Sequence, residues 1–114
     1  MIMDRELTTV DVERIAKLVA EDLRSLYGER LKQVLLFGSW ARGDQRAESD
    51  IDLMVILDRV DSSYEEIHAM SGLLWERTLE HNALVTALPV AEADFEATAR
   101  PVIAAAKSEG RRVA

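Results

Sequence analysis

The sequence predicts an α/β (α+β) domain in which a small mixed sheet of about three strands is flanked by helices. Three observations lead there. Residues 8–27 repeat their apolar positions at helical spacing. Three short runs, 33–37, 50–57 and 83–90, have the length and apolar content of strands. The segments between and after them return to helical patterning. At 114 residues the chain has the size of one domain, 1–114, with a single sizeable core.

In the first helix Val12, Ile15, Leu18, Val19, Leu23 and Leu26 form the apolar face, with Glu13 one turn before Lys17. Thr8 or Thr9 caps its start and Gly28 suits a left-handed stop. The run 33–37 then reads as a buried strand leading into Gly38-Ser39, and residues 39–44 as a brief turn or helix start before a polar loop. Residues 50–57 (DIDLMVIL) are apolar on both faces after two acids, as a centre strand would be.

Ser63 with Glu66 has the spacing of a capping box for a helix ending near His81. That helix should turn Ile67, Met70, Leu74 and Leu79 inward and leave His68 exposed; Tyr64 and Trp75 have two readings, as interface residues or, the commoner role, as the lining of its contact with the sheet. Pro89 marks the third strand as an edge or a strand end. A short helical stretch around Phe95 follows. Pro101 opens a last helix with Val102, Ile103 and Ala106 inward, and Gly110 closes it.

Composition narrows the function. Lys and Arg number 14 against 21 Asp and Glu, a formal charge of −7. Such a surface lacks the basic footprint that nucleic acid or an anionic membrane requires. Without cysteine there is no disulfide, thiolate metal site or thiol nucleophile. No apolar run reaches the length of a membrane span, and the first residues, with Asp4 and Glu6, do not read as a signal peptide. The expectation is a cytoplasmic protein.

The chemistry concentrates in residues 38–53, GSWARGDQRAESDIDL. Asp50 and Asp52, two apart on a strand, project from one face about 7 Å apart. Paired carboxylates of this kind suit Mg²⁺, which takes one or two carboxylates and completes its shell with phosphate oxygens. Gly38 lets the backbone approach a phosphate, the Ser39 hydroxyl and amides of a helix start can donate to it, and Arg42 can add a charge-assisted contact. Individually each feature has an ordinary reading as a turn, a solvated strand end or a surface arginine. Their order within so short a stretch favours phosphate and metal chemistry. Trp40 within the motif is expected to pack rather than to stack on a base.

This stretch resembles the signature of the polymerase-β-like nucleotidyltransferases, and in particular of their minimal members. Gly38, Ser39, Ala41, Arg42, Gly43, Ser49, Asp50, Ile51, Asp52 and Leu53 carry the match. The resemblance implies Mg²⁺-dependent transfer of a nucleoside monophosphate from a triphosphate such as ATP. Asp50 and Asp52 would act in catalysis and hold the metal, and Gly38, Ser39, Arg42 and Ser49 would bind the nucleotide. It further implies an antitoxin that adenylylates a hydroxyl of a partner ribonuclease toxin of the helical HEPN class. So short a domain must meet its acceptor on another macromolecule, and homo-oligomerisation is left open.

One departure matters. Active members usually take a third carboxylate from the next strand, whereas ALVTALPV offers only Thr86 as a polar side chain. An alternative expectation is therefore a catalytically weak or inert module of the same fold that neutralises a toxin by binding it. Transfer to a small molecule such as an aminoglycoside is a third, less favoured reading, because relatives that do this carry an extra helical domain.

Overall fold

The computed structural model describes residues 7–43 and 50–114. The chain opens with α1 (Thr9–Tyr27), whose N-terminus is closed reciprocally: Asp11 N–H donates to the Thr8 hydroxyl and Thr8 N–H to the Asp11 carboxylate. Val12, Ile15, Ala16, Val19, Ala20, Leu23 and Tyr27 are buried along one side. Leu26, expected inward, is exposed, because Tyr27 one position on turns to the core and hydrogen-bonds Glu66 through its hydroxyl. A single 3₁₀ turn, Gly28–Arg30, leads into the sheet.

The sheet has four strands rather than three: β1 (Leu31–Phe37), β2 (Ile51–Leu57), β3 (Val85–Ala91) and β4 (Arg111–Arg112). Their order is β3-β2-β1-β4. β1 runs antiparallel to both β2 and β4, and β2 runs parallel to β3. Two consecutive arginines carry no strand pattern, so β4 is invisible in sequence. Its place comes from pairing, Leu35 with Arg112 and Leu36 with Arg111. Pro89 lies on β3, an edge strand, where its missing N–H costs least.

A short helix, α2 (Ser39–Arg42), lies between β1 and β2, and the parallel β2–β3 pair needs a crossover, supplied by α3 (Ser63–His81). Its cap is Ser62, which accepts from Glu65 N–H at 3.2 Å, one residue earlier than the Ser63–Glu66 spacing suggested. Glu66 is engaged elsewhere, accepting from Arg30 at 2.7 Å and from Tyr27 at 3.1 Å. Met70 and Leu74 are buried as expected, but Ile67 and Leu79 are exposed, and so are Tyr64 and Trp75.

β2 is buried on both faces. Ile51, Leu53, Val55 and Leu57 pack with α1 and α3, while Met54 and Ile56 meet Leu35, Val90 and the inner face of the last helix. The chain finishes through α4 (Glu92–Ala97) and α5 (Pro101–Glu109), the latter burying Ile103 and Ala106 against that second face. Among the described residues, no helix is long and apolar enough to cross a membrane.

Candidate active site

β1 ends at Phe37, and the chain turns at Gly38 with φ +78° into the four-residue helix α2 (Ser39–Arg42). Both the Ala41 and the Arg42 amide donate to the Gly38 carbonyl at 3.1 Å, and Gly43 closes the turn in the left-handed region. Strand register sets Asp52 between Phe37 on β1 and Thr86 on β3. By the alternation of β2, its side chain emerges on the same face as Met54 and Ile56.

Two contacts fix the carboxylate. The Thr86 hydroxyl donates to Asp52 Oδ1 at 2.6 Å. On the other side the turn comes so close that a Cβ at Gly38 would sit 2.6 Å from Asp52 Oδ2. Gly38 is therefore required twice, once for its positive φ and once for the space Asp52 occupies.

The electrostatics are those of a half-enclosed acid. Burial pushes the Asp52 carboxyl above the ordinary value, and the Thr86 hydrogen bond pulls it back. The negative charge of Asp50 raises it further, and the positive charge of Arg42 opposes that. Asp50 itself lies just before β2 rather than within it, and is exposed. Arg42 is also exposed, with Nη1 3.9 Å from Glu109 Oε2.

Gly38, Ser39, Arg42, Asp50 and Asp52 thus converge at the ends of β1 and β2. Ser49 lies outside the described residues. Trp40 is 3% exposed and packs in the core with α1 and β2, so its indole has no face left to offer a nucleotide base. Thr86 is the residue that sequence reasoning undervalued. Its signal was that of the only polar side chain in an otherwise apolar strand, in register with Asp52.

Among the described residues, no three or more His, Cys, Asp or Glu side chains are grouped to hold a metal ion. Among the described residues, the donors at this turn are two carboxylates, one exposed and one half-buried. That set fits Mg²⁺ completed by phosphate oxygens and water.

The sequence profile of the family described as polymerase beta, nucleotidyltransferase, matches residues 21–101. The chain belongs to this family. The match takes in α2, β2 and β3, so the turn, the paired acids and Thr86 all fall inside the family domain. This nucleotidyltransferase is 41% identical over 73 residues to a protein of Methanocaldococcus jannaschii named "Putative protein adenylyltransferase", over 64% of the chain and 71% of the relative. A second protein of that name and organism is 32% identical over 57 residues, covering 50% and 58%. The matches thus cover more than half, but not all, of these relatives.

Among solved structures, a "putative nucleotidyltransferase" from Sulfolobus solfataricus aligns with TM-score 0.62 at 20% identity over 84% of this chain and 85% of its own. A toxin–antitoxin structure with AMP-PNP aligns with TM-score 0.59 at 19% identity, covering 86% and 72%. At these identities the likeness establishes the fold, that of a polymerase-β-type nucleotidyltransferase.

Proposed function

We propose that this nucleotidyltransferase moves an adenylyl group from ATP, with Mg²⁺, onto a hydroxyl of a protein partner, and that the partner is a toxin of the HEPN type. The observation carrying the reading is the contact of Asp52 with the Gly38 turn. It sets a carboxylate against backbone where a triphosphate would lie, with Asp50 and Arg42 close enough to act on it electrostatically. Support for a protein acceptor comes from the names of the two archaeal relatives. Support for a toxin comes from the toxin–antitoxin structure of like fold, crystallised with an ATP analogue.

Asp50 and Asp52 would hold the metal, and Gly38, Ser39, Arg42 and Ser49 the phosphates. When bound, Mg²⁺ would neutralise charge on the triphosphate and stabilise the attacking and leaving oxygens. The acceptor oxygen would form a bond to the α-phosphorus as the bond to the bridging oxygen breaks and pyrophosphate departs. Thr86, hydrogen-bonded to Asp52, is no base, so the hydroxyl proton would pass to solvent or to a group the partner brings.

The same observation favours a second reading, in which a threonine on β3 in register with Asp52 leaves a module that neutralises its partner by contact alone. One experiment separates the two. The protein is incubated with labelled ATP, Mg²⁺ and the protein encoded beside it, in parallel with an Asp50→Ala, Asp52→Ala variant. Transfer is expected from the wild type and not from the variant. Absence of label in both, with toxicity still suppressed by the variant, would establish the second reading.

A further inference from the structure

We propose that the outer face of α3 docks an amphipathic helix of another protein whose apolar stripe is bordered by Lys and Arg. This goes beyond the transfer reading and needs no nucleotide. Although α1 and α3 are equally long at 19 residues, α1 buries seven and α3 only Met70 and Leu74. Among what α3 leaves outside, three large apolar side chains are aligned: Tyr64 is 77% exposed, Trp75 58% and Leu79 64%. At about 100° per residue, positions 64, 68, 71, 75 and 79 fall in one stripe. The chain has two Trp and two Tyr. One of each, Trp40 and Tyr27, is spent in the core. The other two stand on this stripe, and they are the residue types that anchor interfaces most often.

A second, independent observation points the same way. Gly72 sits in the middle of α3 with helical geometry, and a Cβ there would meet nothing within 4 Å. A glycine in a helix interior destabilises it, and here neither a turn nor intramolecular packing requires one. With exposed Ser71 beside it, Gly72 makes a waist between the Tyr64 and Trp75 ends, where a second backbone could approach closely.

The border of the stripe selects the occupant. Glu65 and Glu76 each follow an exposed aromatic by one residue, so both lie along the same side, and both are exposed. On a chain of net charge −7, this acidic border complements a basic one and disfavours a second copy of the same face. The β2 side chains that pack under α1 and α3, Ile51, Leu53, Val55 and Leu57, alternate with Asp52, so the stripe is across the sheet from the Asp52 carboxylate. A helix docked on α3 would leave that carboxylate uncovered.

The test uses the full chain without ATP or Mg²⁺. The probes are two synthetic amphipathic helical peptides with the same leucine stripe, one bordered by lysine and one by glutamate, titrated while tryptophan emission is read. The lysine peptide is expected to bind and shift Trp75 emission to the blue, with the shift lost in Trp75→Phe. The glutamate peptide is expected to bind at least about tenfold more weakly. Gly72→Leu should fill the waist and weaken binding about tenfold while leaving thermal stability unchanged or raised. Glu65→Lys with Glu76→Lys should reverse the preference between peptides. Equal binding of both peptides, or no effect of Gly72→Leu in a folded variant, would overturn the proposal. So would a concentration-dependent dimer in sedimentation that Trp75→Ala dissolves. None of these outcomes bears on label transfer, so failure here and failure of the transfer reading are told apart.

Discussion

Gly38 and Asp52 constrain each other, and the consequences can be measured one residue at a time. A Cβ at position 38 would have to coexist with φ +78° and with Asp52 Oδ2 at 2.6 Å. Gly38→Ala should therefore cost about 1–3 kcal/mol in urea unfolding from backbone strain alone, and displace Asp52 as well. At Asp52 the effect is one of sign. Burial, the largest cause, raises its carboxyl in the folded state, so the native protein binds that proton more tightly than the unfolded chain. Stability from this group is then fully present below the ordinary carboxyl value and is lost as pH rises through the elevated one. Asp52→Asn should remove that loss, flatten the pH dependence of unfolding over the window, and leave the variant more stable than wild type at neutral pH. A lower midpoint at pH 7 would show that Asp52 stabilises the fold instead. Thr86→Val takes away the hydrogen bond that opposes the upward shift. The pH dependence of unfolding should then move to higher pH, and Thr86→Ser, which keeps a donor, should restore it.

At the scale of elements, what was legible in sequence tracks what is decided locally. The limits of α1 followed from Thr8 and Gly28, which act within one turn of themselves, though the reciprocal bond of Asp11 to Thr8 was not read. β2 followed from an apolar run whose character does not depend on its neighbours. The failures are long-range. β4 exists only because β1 offers it an edge, and the α3 cap slipped by one residue because Arg30 and Tyr27 claim Glu66 from other elements. For α3, periodicity alone could not tell a core stripe from an exposed one, since Tyr64, Trp75 and Leu79 repeat as regularly as Met70 and Leu74 do. At the site, the motif marked Gly38, Asp50 and Asp52, but not the contact of Thr86 with Asp52, which is made by strand register. The two tryptophans give this distinction a number. Trp40→Ala should cost about 3–5 kcal/mol in chemical unfolding, as a fully buried aromatic does. Trp75→Ala, 58% exposed, should stay within about 1 kcal/mol of wild type. Comparable losses in the two would mean that α3 leans on Trp75 for its own packing.

For the whole molecule, the question is whether one compact sheet with its helices suffices to bind the donor nucleotide when β3, the strand beside Asp52, carries Thr86 and no acid. Binding and transfer separate here, because a ligand that favours the folded state raises stability in proportion to its occupancy whether or not chemistry follows. Saturating ATP with Mg²⁺, at about 100 times the dissociation constant, should add about 2.7 kcal/mol to unfolding and raise the melting temperature accordingly. ATP without the divalent ion should give a smaller shift, because Asp50 and Asp52 then repel the triphosphate instead of sharing a cation with it. Asp50→Ala with Asp52→Ala should abolish the part of the shift that depends on the ion, while the turn at Gly38 can still meet phosphate oxygens. Full stabilisation without label transfer to any partner would locate the deficit in the chemical step, where Thr86 stands in register with Asp52. No stabilisation by the nucleotide at all would remove the donor site itself, and leave contact with a partner as the function of the fold.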